Sequence, residues 1–382
     1  MKNPDIIMIS GSDFSQTDGP VLHFYSLFRA LDKIRPGIKA YAHFRTNTPD
    51  FSGIHYLPAS LPGMLASLEF QIRSGWKIIM TCLTRKTNCL YIRSHYMMFM
   101  PWMLSWLFRI PMITEFNGII DEYKRPKWIL AFGKIVEKFL ARKSAAVICI
   151  TQEVKEWMIK HYSLKPDNIF VISNAADPGR FDAEYRMEMR TPYQLDLKQF
   201  IVTFVGSLTW WQGVSFFIEA IPELEKKIPD LKVLIIGDGG EYPHLAVLTK
   251  QLHLESRVYF AGKVSSHEAA RYMQISDVLI LPKVPITCSP LKLYEYMAAG
   301  RPVVASDLPG FEIVQESGCG ILVPPKNPAA IAEAVLKLHD LTQDERQKMG
   351  MRGRNKIIKD HTWDAVAIKT LKIIEEKLKT EN

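Results

Sequence analysis

The chain has 382 residues, 47% hydrophobic and 23% charged, with no low-complexity tract, which excludes a disordered or fibrous chain and supplies apolar material for two cores. Its five cysteines (Cys82, Cys89, Cys149, Cys288 and Cys319) are odd in number and lack C-x-x-C spacing, so neither a disulfide framework nor a zinc site is indicated and a reducing compartment fits. The formal charge of +8 lies in the first half, where residues 1–190 hold 25 Lys+Arg against 17 Asp+Glu while residues 191–382 hold 23 of each. Either a polyanionic partner, such as nucleic acid or an anionic membrane surface, or a merely basic domain accounts for that asymmetry.

Short β-rich apolar runs alternate with helical stretches along the chain. The first, DIIMIS, has a strand's length, and its core Ile6–Ile9 is too short for a signal peptide. Further strands in the first half read CLYIR, PMITEF, AAVICI and NIFVIS, with helical patterns at Val21–Leu31 and Trp128–Ala141. No stretch of about 20 apolar residues is present to span a bilayer. The nearest candidate, Tyr96–Phe108, is short and carries Pro101. Around it stand Trp76, Trp128 and a basic set that includes Arg85, Lys86, Lys124, Arg125 and Lys127. Such aromatic-basic segments lie on a membrane surface, or form a buried helix with a solvated basic face.

A polar stretch, Tyr185–Lys198, precedes a restart of the pattern with FIVTFVG, KVLIIG, RVYFAG, DVLILP, PVVAS and GILVP. Helical patterns follow at Ala329–Leu338, Gln343–Lys359 and Trp363–Leu378. Continuous Val/Ile runs with helical crossovers mean parallel sheets covered on both faces. The expected architecture is α/β: two Rossmann-like doubly wound domains facing across a cleft, with the last helix crossing back to the first domain. Domain bounds are read at 1–185 and 199–360, with a linker at 186–198 and a C-terminal helix at 361–382. Ligands in such folds bind at the carboxyl ends of the strands.

The densest constellation is SPLKLYEYMAAGRPVVAS, from Ser289 to Ser306. Ser289 suits an N-cap, Pro290 the first helical position and Gly300 the stop. The open N–H groups of such a helix end, with its dipole, suit a diphosphate. Lys292 adds positive charge in the first turn, and Glu295 one turn on is placed to accept hydrogen bonds from a ribose diol. An ordinary capped helix with a solvated Lys and Glu is the plainer alternative.

With these residues the chain resembles the retaining glycosyltransferases of family four, which have the GT-B fold. The resemblance extends upstream to Gly237-Asp238-Gly239, Leu245, Phe260-Ala261-Gly262, Ser276-Asp277-Val278 and Pro282, and further to Thr151-Gln152 and Asn174. It implies a set of donor-binding residues. Glu295 is associated with the donor ribose, and Ser289, Pro290, Leu291 and Lys292 with the diphosphate and sugar. Gly262, Lys263 and Val264 match the loop that contacts the nucleobase. Gly206 closes the first strand of the second domain, and Gly19 lets backbone approach the donor phosphate. Asn117, in TEFNG, stands where many members have a histidine near the sugar; with Lys292 it is the expected catalytic pair.

Three positions depart from the family pattern. Thr287 replaces the first glutamate of E-x7-E, and Ser207 and Gln212 replace an arginine and a lysine that neutralise the leaving diphosphate. That work falls to Lys292, to Lys283 and to the helix N-terminus. No Asp-x-Asp occurs, so no metal-clamped diphosphate is expected, and no cofactor beyond the nucleotide diphosphate sugar as co-substrate. The resemblance implies retention of configuration, by same-face transfer without a protein adduct.

Other features are weaker. His23, His95 and Glu115 lie near strand ends or helix starts in the first half, where an acceptor can reach them, although a lone His is more often structural. Asp121-Glu122 frame the same strand end as Glu115. Trp210-Trp211 follow FIVTFVG, and Gly237-x-Gly239-Gly240 reads better as a tight strand-to-helix turn than as a dinucleotide fingerprint, since Tyr242 fills the third slot. The expected activity is sugar transfer to a hydroxyl acceptor, lipid-linked or glycan, in cell-surface polysaccharide or glycolipid assembly. The expected location is cytoplasmic, peripheral on the inner face of the membrane through the basic half. No nucleic-acid-binding module is present. The alternatives are a non-catalytic donor-binding or scaffold member and, more remotely, a sugar-nucleotide epimerase.

Overall fold

The structure, a computed structural model, describes residues 5–15, 19–46, 51–61, 64–84, 87–94, 98–122, 126–181, 196, 198–285 and 291–380. These form two compact units, one running to Asn174 and resuming at Trp363, the other from Ala175 to Thr362.

The first unit contains β1 (Asp5–Asp13), α1 (Gly19–Ile34), β2 (Lys39–Phe44), β3 (Ile54–Pro58), α2 (Met64–Thr84), β4 (Thr87–Arg93) and α3 (Met100–Phe108). It continues with β5 (Met112–Phe116), α4 (Lys127–Lys143), β6 (Ala146–Cys149), α5 (Gln152–Tyr162) and β7 (Ile169–Val171). The seven strands pair in parallel in the order β3-β2-β1-β4-β5-β6-β7. Their order reverses between β1 and β4, which makes that point the topological switch of the sheet.

β2 and β3 have no counterpart in the sequence reading. KAYAHF and IHYLP lack the Val/Ile run that marks a buried strand. β2 earns its place by burying Ala40 and Ala42 completely, small side chains that admit close helix packing without carrying an apolar signature.

The second unit contains β8 (Phe200–Val205), α6 (Val214–Glu225), β9 (Leu231–Ile236), α7 (Tyr242–Gln251), β10 (Val258–Gly262), α8 (Ser266–Ile275) and β11 (Val278–Leu281). After these come α9 (Leu291–Ala298), β12 (Val303–Ser306), α10 (Ile313–Ser317), β13 (Gly320–Val323), α11 (Pro328–His339) and α12 (Gln343–Asp360). Its six strands are parallel in the order β10-β9-β8-β11-β12-β13, reversing between β8 and β11. Every residue of β8 and β11 is buried, as helices on both faces require.

The units part at Asn174–Ala175, ahead of the bound at 185 read from the sequence. Ala175–Phe181 belongs with the second unit because Ala176 bridges Thr362 and Arg354 donates to the carbonyls of Pro178 and Phe181. Of the linker read at 186–198, only Asp196 and Lys198 are among the described residues. The last helix, α13 (Trp363–Thr380), packs on α1 of the first unit. Lys33 pairs with Asp364, Arg35 with Glu375, and Lys377 donates to Asn168. Among the described residues no helix is long and apolar enough to cross a membrane.

Candidate active site

In the second unit the carboxyl ends of β8 and β11 lie at the switch point, and α9 follows β11. Tyr296 fixes this helix. Its hydroxyl accepts from Val205 N at 2.7 Å and donates to Val205 O at 3.0 Å, so the last residue of β8 is hydrogen-bonded to α9. Burial, with Glu295 nearby, raises the Tyr296 phenol, outweighing the hydrogen bond from Val205, so the hydroxyl stays neutral and able to both donate and accept. At the other end Arg354 donates to Ala298 O at 2.6 Å, and Gly300 stops the helix at φ +71°.

Tethered in this way, α9 lays Lys292 against the end of β8. A Cβ added to Gly206, at φ +156°, would lie 2.0 Å from Lys292 Cε and 2.7 Å from Nζ. Glycine is therefore needed there for the lysine to lie along the backbone. Gly213, at φ +66°, brings the loop after β8 against the loop after β11; a Cβ there would lie 1.9 Å from Pro282 O, and Val284 N donates to Trp211 O nearby. Lys292, Gly206 and the two loops thus form one feature, with the half-buried Glu295 one turn further along α9.

Glu295 is not solitary. Arg180 Nη1 lies 2.5 Å from its Oε1, while Arg180 Nη2 donates to Ser266 Oγ at 2.6 Å and Ser266 O at 3.1 Å. Arg180 thus ties the start of α8 to α9 and aims the carboxylate, leaving Oε2 without a hydrogen bond from the described residues. Arg180 carries no signal in the sequence: PGRF stands close after Asn174, and nothing in that string names Glu295, 115 residues away, as its partner.

The remaining donor-side residues are placed as follows. Gly262 ends β10 at φ +67°, Lys263 is exposed and Val264 is half-buried against the core. Ser207 is exposed, whereas Gln212 is 6% exposed and its Oε1 has no hydrogen-bond partner among the described residues. Lys283 is 3% exposed. Trp210 and Trp211 are exposed and meet edge to face at 5.8 Å. Gly237 and Gly239 serve the tight turn after β9, where Cβ atoms would collide with Gly206 O and Leu208 O. Leu291 opens α9; Ser289, Pro290 and Thr287 lie outside the described residues.

The first unit gathers a second polar cluster at the ends of β4 and β5. Glu115 is 2% exposed. Its Oε1 is 2.9 Å from His23 Nε2, 2.8 Å from Asn117 Nδ2 and 3.5 Å from Arg93 Nη1, and its Oε2 accepts from Tyr91 Oη. His23 Nε2 makes this approach without hydrogen-bonding geometry. Burial alone would push the Glu115 carboxyl up; His23, Arg93 and the Tyr91 hydroxyl overcome this and hold it well below the usual carboxylate range. His23 Nδ1 is 2.6 Å from Asn174 Oδ1, and Trp363 packs edge-on at 5.1 Å.

His23 and Glu115 are therefore largely taken up by one another, with little surface for an acceptor. Asn117 is half-buried, and its donation to Glu115 fixes which end of the amide is nitrogen, so Oδ1 points the other way as an acceptor. Gly19 is exposed, and a Cβ there meets nothing within 4 Å. Asp121 pairs with Lys134. His95 lies outside the described residues. No three His, Cys, Asp or Glu come together as a metal site among the described residues.

Comparison with known proteins covers both halves. Residues 17–180 match Glycosyltransferase Family 4, and residues 199–340 match Glycosyl transferases group 1. An uncharacterized glycosyltransferase of Methanocaldococcus jannaschii is 28% identical over 236 residues, 60% of each chain. The D-inositol 3-phosphate glycosyltransferase of Corynebacterium glutamicum is 28% identical over 329 residues, 79% of this chain and 76% of the relative. The crystal structure of Anabaena HepE with UDP and glucose shares the fold at a TM-score of 0.80 and 16% identity, over 98% of this chain and 100% of HepE. The chain belongs to the group 1 glycosyltransferases of family 4.

Proposed function

We propose that this chain is a retaining glycosyltransferase that moves a sugar from a nucleoside diphosphate sugar to a hydroxyl of a glycan or lipid-linked acceptor. The process served is cell-surface polysaccharide or glycolipid assembly on the cytoplasmic side of a membrane, with no metal or other cofactor. The observation that carries this reading is Lys292 lying along Gly206 at the switch point of the second sheet, with the Arg180-held Glu295 one turn beyond. The UDP and glucose of HepE and the inositol phosphate named for the Corynebacterium enzyme mark the chemistry that similar proteins handle.

The Lys292 ammonium neutralises the diphosphate as it departs, which preorganised positive charge does well in a site poor in water. Glu295 Oε2 accepts from the ribose hydroxyls while Arg180 holds its partner oxygen. Gly262, Lys263 and Val264 take the nucleobase edge. In the first unit, Asn117 offers a fixed amide oxygen to a sugar hydroxyl and Gly19 an open backbone to a phosphate. The acceptor hydroxyl forms its bond to the anomeric carbon on the face that the nucleoside diphosphate leaves. The bond electrons go with the diphosphate, and the hydroxyl proton passes to one of its oxygens. Ser207 and the uncharged Gln212 favour one other reading, a donor-binding member without transferase activity. Nucleoside diphosphate release by the purified chain across a panel of nucleotide sugars tests both. One donor turned over supports the enzyme, binding without turnover supports the second reading, and neither binding nor turnover contradicts both.

A further inference from the structure

Helices α2, α3 and α4 share one core beneath them, in which their own Phe70, Ile78, Leu104 and Leu140 pack with Ile7, Ile92 and Met112 of the underlying strands. Gln71 Oε1 accepts from Phe99 N and Met100 N, which ties α2 to the start of α3, and Trp102 meets Phe139 edge to face at 4.5 Å, which ties α3 to α4. Their outer surfaces are apolar as well. On α2 the exposed side chains are Leu65, Leu68, Ile72, Trp76, Met80 and Leu83. That spacing of three and four keeps them in one stripe, opposite the buried Ala66, Phe70, Ser74 and Ile78. Phe99, Met103, Trp106 and Leu107 do the same at α3, and Trp128, Phe132, Ile135 and Phe139 on α4. Fourteen of the twenty-four large apolar side chains exposed among the described residues stand on this one side of the first unit.

Charge identifies what covers it. Residues 64–143 hold 13 Lys+Arg against 5 Asp+Glu, an excess of eight that equals the formal charge of the whole chain. Of those five acids, Glu115 and Glu137 are buried. Arg73 and Lys77 flank the α2 stripe, Arg109 follows α3, and Lys127, Lys138 and Lys143 border the α4 stripe. A second protein copy with this surface would bring like charges together. An anionic bilayer offers an apolar interior for the stripes and phosphates for their borders, and tryptophans standing out by more than 60% at Trp76, Trp106 and Trp128 suit the headgroup boundary.

We propose that α2, α3 and α4 together form a docking face for an anionic lipid bilayer, seating the first unit on the membrane without crossing it. The proposal deepens the reading of a membrane-presented acceptor and rests on that reading only for its purpose. It is tested by flotation of the full chain with vesicles of phosphatidylcholine, alone or with about 30% phosphatidylglycerol. The chain should partition to the anionic vesicles, several-fold less when salt rises from about 0.1 to 0.5 M. The triple variant Trp76→Ser, Trp106→Ser, Trp128→Ser should lose at least about tenfold in partition, since it removes the aromatic anchors and keeps the charge. Donor turnover by the triple variant in the absence of vesicles should equal that of the parent, so loss of docking stays distinct from loss of transferase function. Absence of binding to anionic vesicles, or equal binding by the triple variant, overturns the proposal. So does a concentration-dependent dimer that the triple variant abolishes while vesicles capture neither protein.

Discussion

Replacing Gly206 by alanine should disable the donor site by displacing Lys292 rather than by damaging the fold. The three atoms closest to the new Cβ, at 2.0, 2.7 and 2.9 Å, are Cε, Nζ and Cδ of Lys292, the movable end of a flexible side chain. The lysine swings away, so the cost in stability is confined to backbone strain at φ +156°. A unit charge 4 Å from a phosphate oxygen is worth about 4 kcal/mol at an effective dielectric of about 20, and moving it to about 7 Å leaves about 2.4 kcal/mol. The difference, under 2 kcal/mol, corresponds to a roughly 10- to 20-fold fall in kcat/KM. Removal of the charge by Lys292→Ala should cost more, of the order of 100-fold. The decisive comparison is the double-mutant cycle on nucleoside diphosphate release. In the Lys292→Ala background the Gly206 Cβ has room, so Gly206→Ala should have almost no further effect. Equal losses from Gly206→Ala in both backgrounds, or no loss in either, would refute the reasoning.

Other outcomes follow from the same geometry. Glu295→Ala should weaken donor binding at least tenfold with melting temperature nearly unchanged, and Arg180→Ala should weaken it less; calorimetric titration distinguishes them, and unchanged affinity in both removes Glu295 from the site. Tyr296→Phe leaves the Val205 N–H and C=O without their α9 partner at about 1–3 kcal/mol for a buried orphan, to be read by urea unfolding. Gly19→Ala meets no neighbour, so stability should hold while donor affinity falls; unchanged affinity speaks against backbone approach at Gly19. Burial and Asp121, opposed by the Tyr162 hydroxyl, raise the Glu137 carboxyl from 4.5 to about 7. The native state then binds more protons than the unfolded chain between those values, so stability falls as pH rises through that window, by at most about 3 kcal/mol. Glu137→Gln should match the parent near pH 4.5 and exceed it above about pH 7; an unchanging gap between the two across that range would defeat the assignment.

Much of this architecture is written in local sequence. Runs such as FIVTFVG and DVLILP can only be strands buried on both faces, and Gly300 marks the stop of α9 by its left-handed φ. β2 and β3 escape because Lys, His and small Ala carry no apolar run, and only the neighbouring strands make them a sheet. At the site, Lys292 and Glu295 were legible as a helix-terminus constellation. Their supports were not: Tyr296 looks like any core aromatic until its hydroxyl finds Val205, and Arg180 finds Glu295 only through the fold. Ser276 and Asp277 match the family pattern yet act on the sheet, Asp277 accepting from Ile201 N at 2.8 Å and Ser276 donating to Thr203 Oγ1. His23, Tyr91, Arg93, Glu115 and Asn174 are scattered over 151 residues, so periodicity carries no hint of their cluster. The stripe on α4 falls within the helical pattern at Trp128–Ala141, whereas α2 is absent from the sequence-based elements: both of its faces are apolar, which blurs the helical period, and which one points outward is decided by the sheet.

The most direct test is a crystal structure of the chain with a nucleoside diphosphate sugar. A diphosphate oxygen within about 2.7–3.1 Å of Lys292 Nζ, with a ribose hydroxyl donating to Glu295 Oε2, is the predicted result. A ligand seated elsewhere, with Lys292 still lying on Gly206 and Glu295 bonded only to Arg180, would contradict the assignment of the donor site.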